Sequence, residues 1–166
     1  MDGIQTVRYQ TELGEGVLYW RGKELVAHAL PGSREAAGSA HETRARGRAG
    51  PRGRYTQLLE SYFAGETVSF PLEAVPLDEL FPTPFQLSVV RTLAEVPYGA
   101  TTSYGELAAG AGYPQAHRAV GNLMAANPLP LIIPCHRVLR SDGSLGHFSA
   151  GDHWKVRLLE LEGQGQ

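Results

Sequence analysis

The chain has 166 residues, of which 42% are hydrophobic and 19% are charged, so it can form an apolar core and is not composed like a disordered protein. The formal net charge of −2 excludes a strongly basic protein, so any contact with nucleic acid has to come from local features. The single cysteine excludes both an internal disulfide and a zinc site built on several thiolates.

Neither the first residues nor the apolar runs indicate a membrane. Residues 1–5 lack the pattern of a signal peptide, and the longest apolar run, 129–133, is only long enough for a strand. A lone unpaired thiol fits a reducing compartment. We therefore expect a cytoplasmic protein that contacts no membrane and needs neither a cofactor nor a metal.

The first half of the chain predicts a hairpin followed by a helix. Two β-prone runs, 17–20 and 25–28, flank a short polar turn that contains Gly22, which is the pattern of an antiparallel hairpin. Apolar side chains at helical spacing then predict a helix over residues 55–63, with Gly65 as its stop signal.

The segment 34–54, between hairpin and helix, has a different composition. Its six arginines and two glutamates give a local charge of six minus two, or +4, among many Gly, Ala and Ser residues. The simpler interpretation is a solvated loop with little to bury. The alternative is a basic arm that contacts nucleic-acid phosphates. Residues 68–81 are interpreted as an extended linker, and its end is taken as the boundary between domains 1–80 and 81–166.

The second half predicts three helices. Residues 83–86 combine a cap residue, a proline and a glutamine as in a capping box. Residues 103–106 form a second capping box, which opens a short helix through Ala109. Pro114 is expected to begin the third helix, which ends near Ala126. Two short helices joined by a glycine-containing turn predict a helix-turn-helix unit.

The third helix has two unlike faces when it is drawn at 100° per residue. The apolar face, which we expect to point to the core, collects Ala116, Val120, Leu123 and Met124. The opposite face collects Arg118, Gly121, Asn122 and Ala125. Small residues let a helix backbone approach a large partner closely, and Arg118 would project into that partner. The alternative is an ordinary surface arginine.

Cys135 follows Pro134 and is itself followed by His136 and Arg137. A lone cysteine is often only a small buried hydrophobe. Here the basic neighbours favour the thiolate, and an imidazole is a common acceptor for a thiol proton. The Cys-His pair by itself is shared with cysteine proteases and acyltransferases. A thiol hydrolase or acyltransferase, which would turn over without DNA, therefore remains an alternative on these residues alone.

The run Pro-Cys-His-Arg-Val at 134–138 resembles the active-site signature of the O6-alkylguanine-DNA alkyltransferases, also called methylated-DNA–protein-cysteine methyltransferases. The resemblance continues in the family's order across residues 82–163, through 85–86, 103–108, 118–121, 127–128 and 158–162. It is looser in the first half, at 62–65. It implies an α/β fold class: a small N-terminal ribonuclease-H-like α/β domain with an antiparallel sheet, then a mostly helical, winged-helix-like C-terminal domain.

The same resemblance implies DNA repair by direct, irreversible alkyl transfer from O6-alkylguanine to Cys135, with activity on O4-alkylthymine left open. The damaged nucleotide is rotated out of the duplex into a protein pocket. Because the thioether product is a poor leaving group, each molecule should act once. The expected partner is double-stranded DNA that carries O6-alkylguanine, and the protein is expected to be a monomer.

Individual roles also follow from the resemblance. His136 would be the base, acting through water, and Glu162 the carboxylate that orients it. Tyr104 would donate a proton to the departing guanine and help to rotate the nucleotide. Arg118 would fill the vacated space from the minor groove, where wedge-like side chains are common. The small residues of its helix face, Gly121, Asn122 and Ala125, would line the DNA contact with Tyr104.

The pocket residues are assigned in the same way. Asn127 would hold the turn before the active-site segment, the Val138 carbonyl and Ser149 would read the guanine edge, and Met124 and Pro130 would line the alkyl pocket. If the resemblance is set aside, the simpler interpretation is that Tyr104 is a packing residue, Glu162 a solvated charge and Ser149 a loop cap.

Two positions depart from the family pattern. Phe148 stands where many members have tyrosine and Ala150 where glycine is common, so the accepted size of alkyl group stays open. A further alternative is a damage-binding relative that does not react. Such relatives carry tryptophan at the position of Cys135.

Overall fold

The computed structural model describes residues 3–37 and 50–163, and the chain divides into two compact units, Met1–Pro76 and Leu77–Gln166. This division lies four residues before the predicted boundary at 80/81. Within the described ranges, no helix combines the length and hydropathy that crossing a bilayer requires. Most of the arginine-rich segment lies outside the described residues, so its interpretation as a loop or a basic arm stays a prediction.

The first unit is built on a three-stranded antiparallel sheet in the order β1-β2-β3. Its strands are β1 (Ile4–Thr11), β2 (Gly14–Arg21) and β3 (Glu24–Ala29). The predicted hairpin is confirmed as β2 and β3. Strand β1 was not predicted, and its burial does not alternate strictly from residue to residue, which weakens the sequence signal.

Two helices belong to the first unit, α1 (Arg34–Ala37) and α2 (Gly50–Phe63). Helix α2 therefore begins five residues before the predicted start, inside the segment that was interpreted as a loop. Its aromatic side chains pack on the sheet: Tyr55 meets Trp20 edge-on at 5.7 Å between ring centroids, and Phe63 stacks on Tyr9 at 6.4 Å. These contacts are part of the buried core of the unit.

The second unit is mostly helical. Its elements are α3 (Leu77–Leu80), α4 (Pro84–Ala94), β4 (Thr102–Ser103), α5 (Tyr104–Gly110), α6 (His117–Ala125), a 3₁₀ turn (Cys135–Arg137), β5 (Val138–Leu139) and α7 (Asp152–Leu161). The presence of α3 corrects the expectation of a wholly extended linker over 68–81. The mixed α/β class with an antiparallel sheet in the first half and helices in the second is as predicted.

Both predicted caps form. Thr83 Oγ1 accepts from the Gln86 amide at 3.1 Å while Gln86 Oε1 accepts from the Thr83 amide at 3.2 Å, which completes the first capping box. Ser103 Oγ accepts from the Glu106 amide at 3.0 Å. The Glu106 carboxylate, however, accepts from the Thr102 hydroxyl at 3.3 Å, so the second box has only its first half.

Helix α6 begins at His117, three residues after the predicted start at Pro114. The reason is the way in which α5 ends. Gly112 has a φ of +94°, and the Tyr113 amide donates to the Ala108 carbonyl at 2.8 Å, which closes the helix as in a Schellman motif. Pro114 therefore lies in the connecting turn.

The apolar run 129–133 forms a buried turn rather than a strand. Leu131 has a φ of +76°, and the Ile133 amide donates to the Leu129 carbonyl at 2.9 Å. The chain then reaches the 3₁₀ turn and β5, which pairs in parallel with β4. This short ladder holds the start of α5 beside the segment that contains Cys135.

Candidate active site

The thiol of Cys135 lies at the start of the 3₁₀ turn and is almost completely enclosed, with the residue 2% exposed. Asn127 is its polar neighbour. The Asn127 Nδ2 group donates to Sγ of Cys135 at 3.1 Å and to the Ile133 carbonyl at 3.1 Å, while Oδ1 accepts from the Leu129 amide at 3.0 Å. One buried amide thus fixes both the preceding turn and the position of the sulfur.

Burial raises the pKa of Cys135 from its ordinary value of 9.0 to about 11. The hydrogen bond from Asn127 and the positive charge of Lys155 lower this pKa but do not offset burial. The expectation that His136 and Arg137 favour the thiolate is therefore wrong for the protein alone. Both of these side chains are bound to Glu162 instead of to the sulfur.

Glu162 follows the last residue of α7, and its carboxylate is fully buried. Its Oε2 lies 2.6 Å from His136 Nε2 and accepts from Arg137 Nη2 at 3.2 Å. Its Oε1 accepts from Arg137 Nε at 2.8 Å and from the Gly99 amide at 3.2 Å. Each carboxylate oxygen therefore has at least two partners, and the sequence-predicted pair of His136 and Glu162 is in direct contact.

The surroundings of His136 favour the uncharged form of its imidazole at neutral pH. Burial is the largest cause that lowers its pKa, the Glu162 hydrogen bond and charge raise it, and the cations of Arg137 and Lys155 lower it further. Because an uncharged imidazole carries one proton, donation from Nε2 to Glu162 leaves Nδ1 as a bare acceptor. Nδ1 is buried and has no hydrogen-bond partner within the described residues. The arrangement can accept a proton at Nδ1.

Tyr104 is half-buried at the first position of α5, where its hydroxyl donates weakly to the His147 carbonyl at 3.5 Å. Lys155 Nζ donates to the Tyr104 hydroxyl at 3.4 Å and to the Val138 carbonyl at 2.6 Å. Burial raises the pKa of Tyr104, and negative charge on Cys135 would raise it further. The sulfur, the phenol and the ammonium thus act on one another electrostatically.

Lys155 was missed by the sequence analysis. It is fully buried, and burial lowers its pKa to about 8, whereas the charges of Cys135 and Asp152 raise it. The available signal was its place on α7, where it lies on the buried face with Leu158 and Leu159. A lysine on the core-facing side of a helix is unusual and marks a position to inspect.

A groove of about 690 Å³ runs along the exposed side of α6. It brings together the five residues predicted to contact DNA, namely Tyr104, Arg118, Gly121, Asn122 and Ala125. The sequence analysis missed the other side chains and backbone of its wall, which are Gly105, His117, Arg140, Ser141, Asp142, Gly146 and His147. Most of these lie on the turns after β5, whose position depends on the β4–β5 pairing.

The predicted pocket residues are placed less uniformly. Met124, Pro130 and Val138 are buried, whereas Ser149 is exposed, and none of the four lines the groove along α6. The Val138 carbonyl already accepts from Lys155. Residues 3–37 and 50–163 contain no group of three or more His, Cys, Asp or Glu side chains that could hold a metal ion.

Comparison with known sequences identifies a group of related proteins. A family model described as the 6-O-methylguanine DNA methyltransferase, DNA binding domain, matches residues 84–164. A methylated-DNA–protein-cysteine methyltransferase of Methanosarcina acetivorans is 47% identical over 108 residues, which are 65% of this chain and 67% of the relative. The enzyme of that name from Mycobacterium leprae is 45% identical over 104 residues, or 63% of this chain and 61% of the relative. The aligned part of this chain thus spans roughly two thirds of these relatives.

Solved structures are similar over more of the chain. The crystal structure of Mycobacterium tuberculosis O6-methylguanine methyltransferase superposes with a TM-score of 0.77 at 32% identity, covering 99% of this chain and 95% of the other. A structure of OGT from the same organism in complex with DNA gives a TM-score of 0.76 at 34% identity and covers 95% and 92% of the two chains. Both the sheet unit and the helical unit are therefore represented in these proteins.

Proposed function

Because the chain belongs to the O6-methylguanine DNA methyltransferase family, we propose that it repairs DNA by direct transfer of an alkyl group from O6-alkylguanine to its own Cys135. The observation that carries this proposal is the state of the two neighbours in the 3₁₀ turn. Asn127 holds the sulfur of Cys135 in place and burial keeps it as a thiol, while burial also favours the uncharged form of His136 beside it in the chain, whose Nδ1 is bare.

In the proposed reaction the thiol proton passes to Nδ1 of His136, with one water molecule between the two groups. A thiol of pKa about 11 is ionised in only about one molecule in ten thousand at pH 7, so proton removal has to accompany attack. The sulfur forms a bond to the alkyl carbon while the bond from that carbon to O6 of guanine breaks. Tyr104 donates the proton that the departing guanine takes up.

We propose that the groove along α6 is the DNA contact. Gly121 and Ala125 offer almost no side-chain bulk, so the helix backbone can approach the minor groove, and the exposed Arg118 can enter the base stack beside them. Asn122 and Tyr104 complete this surface. Because the contact depends on shape and on one inserted cation, it is compatible with a net charge of −2 for the chain.

The remaining predicted residues are proposed to shape the pocket for the rotated base. Asn127 positions the sulfur and the turn before it, through its three hydrogen bonds. Met124 and Pro130 are proposed to line the space for the alkyl group. The Val138 carbonyl, which has a second lone pair besides the one that Lys155 uses, and Ser149 are proposed to bind the guanine edge.

Each protein molecule is proposed to act once, because the alkyl group of a thioether is not released under ordinary conditions. We also propose that the protein acts as a monomer. We further propose that the protein works in a reducing compartment such as the cytoplasm, since oxidation of Cys135 would remove the nucleophile.

The test is the intact mass of the protein after incubation with a duplex that contains one O6-methylguanine. We expect the protein to gain the mass of one methylene group on the peptide that contains Cys135, and the matched variant Cys135→Ala to gain nothing while it still binds the duplex. Binding without a change of mass in the unchanged protein would instead identify a damage-binding protein. Turnover of a thioester without DNA would identify a hydrolase.

A further inference from the structure

We propose that Arg137 is a positioning residue of this reaction, which keeps Nδ1 of His136 free of a proton by neutralising and orienting Glu162. The inference rests on the proposed function, because it concerns the base that accepts the thiol proton. It assigns to Arg137 a task different from lowering the pKa of the neighbouring sulfur.

The geometry is that of a two-pronged clamp. Arg137 donates to both oxygens of Glu162, from Nε at 2.8 Å and from Nη2 at 3.2 Å. Its third nitrogen, Nη1, donates to the Val96 carbonyl at 2.8 Å, which fixes the guanidinium plane. The guanidinium is 8% exposed and the carboxylate is fully buried, so water screens the pair only weakly.

The charged and titratable groups around His136 come from three parts of the fold. Glu162 and Lys155 belong to α7 and its end, while Cys135 and Arg137 flank the imidazole in the 3₁₀ turn. Tyr98, in the connection after α4, interacts with Glu162 and Arg137. Of these groups, only Arg137 is in direct contact with the carboxylate as a permanent cation.

A count of protons shows what the clamp does. With Arg137 present, Glu162 is ionised and already paired with a cation, so His136 can stay uncharged with its single proton on Nε2, directed at Glu162. Without Arg137, the buried carboxylate of Glu162 has no cation to balance its charge. The Glu162–His136 pair then lowers its free energy by binding one additional proton. The pair then becomes either an imidazolium with a carboxylate, or a neutral imidazole that accepts at Nε2 from a carboxylic acid.

Both outcomes place a proton on Nδ1. In an imidazolium both ring nitrogens carry protons, and in the second case the single ring proton has moved from Nε2 to Nδ1. Nδ1 could then no longer accept the thiol proton of Cys135. Arg137 therefore acts on the reaction through Glu162 and His136, without touching the substrate.

Three variants separate this role from simple packing. Arg137→Met removes the charge and the clamp but keeps a long side chain. Arg137→Met with Glu162→Gln removes both charges, and the glutamine oxygen can still accept from His136 Nε2. Arg137→Lys keeps the cation and loses the planar two-pronged geometry.

The first measurement uses the protein without DNA. Nitrogen-15 NMR of the His136 ring, assigned by the loss of its signal in His136→Gln, reports which nitrogen carries the proton between about pH 5.5 and about pH 9. We expect a bare Nδ1 in the unchanged protein and in the double variant, and a protonated Nδ1 in Arg137→Met. Arg137→Lys should resemble the unchanged protein above neutral pH.

The second measurement is the single-turnover rate of methyl transfer over the same pH range. In Arg137→Met the acid limb of the profile should move up by at least about one pH unit, which is a loss of at least about fivefold at the pH of the original midpoint. The double variant should regain most of this loss. Circular dichroism and urea unfolding establish that each variant is folded, and if Arg137→Met does not fold, Arg137→Lys and the double variant still carry the test.

The proposal is overturned if Nδ1 stays bare in a folded Arg137→Met, or if that variant is slower by the same factor at every pH. It is equally overturned if the double variant shows no recovery relative to Arg137→Met. Absence of methyl transfer in the unchanged protein would refute the proposed function instead, and the NMR result on the ring nitrogens would stand apart from it.

Discussion

Replacing Gly121 by alanine should stabilise the protein and weaken its binding to DNA. Gly121 lies in the middle of α6 and does not have a positive φ, so alanine fits its backbone. An added Cβ would lie 3.9 and 4.0 Å from two ring carbons of Tyr104, which is ordinary van der Waals contact. Since glycine inside a helix costs about 1 kcal/mol relative to alanine, we expect the free energy of unfolding to rise by about that amount.

The effect on DNA has the opposite sign because the same methyl group points into the groove along α6. A duplex that packs against the helix backbone at Gly121 would have to move away by about the length of one carbon–carbon bond, and misfits of this size cost about 1–3 kcal/mol in a packed interface. We therefore expect binding of an O6-methylguanine duplex to weaken by about tenfold or more.

The assay combines urea unfolding with fluorescence anisotropy of a labelled duplex at one fixed salt concentration, because binding to DNA depends steeply on salt. Ala119→Leu is the matched control, since Ala119 is exposed on the same helix and does not line the groove. A more stable Gly121→Ala variant that binds the duplex as well as the unchanged protein would refute the proposed approach of the helix backbone to DNA. Loss of both stability and binding would show that Tyr104 had been displaced.

Three further changes have directions set by the structure. Gly16→Ala should lower the free energy of unfolding by about 1–3 kcal/mol in urea, because its Cβ would lie 2.2 Å from the buried Tyr9 ring. Asn127→Ala should lower the free energy of unfolding by about 2 kcal/mol or more, because buried hydrogen bonds are lost. The pKa of Cys135, followed by its reaction with iodoacetamide at different pH values, should rise further, because the hydrogen bond from Asn127 lowers that pKa. Lys155 has a folded pKa depressed from 10.5 to about 8, so its protonation opposes folding, and unfolding free energy should rise between those two pH values. The comparison is made by urea unfolding in a Cys135→Ala background, with and without Lys155→Met, and the rise should be absent when Lys155 is replaced. The thiol is removed because its raised pKa makes the unfolding free energy fall with pH above about pH 9, which would mask the effect of Lys155. A wild-type profile that is flat over this range in that background, or an Asn127→Ala thiol that titrates lower, would contradict these expectations.

The features that the sequence predicted well are those set by neighbouring residues. The capping box at residues 83–86 depends on groups three positions apart, and it forms as expected. The two faces of α6 follow from helical periodicity alone, and the polar face does line one groove. The start of that helix was placed three residues too early because proline fits both the first turn of a helix and the turn before it.

The features that were missed depend on residues far apart in the chain. The Arg137–Glu162 clamp joins residues 25 positions apart, and the Lys155 contact with the Val138 carbonyl spans 17 positions. No local pattern specifies which buried acceptor a charged side chain will reach. The expectation that the basic neighbours of Cys135 favour its thiolate was wrong for the same reason. Adjacency in sequence was taken as contact, whereas the guanidinium of Arg137 contacts the carboxylate of Glu162, 25 positions later in the chain.

The distribution of protons at the site bears on how the proposed single-use nucleophile, Cys135, is kept as a buried thiol. The thiolate is the reactive form, and a sulfur with a pKa of about 11 exposes very little of it to adventitious electrophiles at neutral pH. In the proposed reaction His136, held by Glu162 and Arg137, removes the thiol proton only when an alkyl carbon is in line with the sulfur and takes up the developing charge in a new bond. Keeping the sulfur protonated therefore does not prevent the reaction. Burial penalises the free thiolate, but the thiolate is not needed as an intermediate when proton removal and carbon–sulfur bond formation occur together.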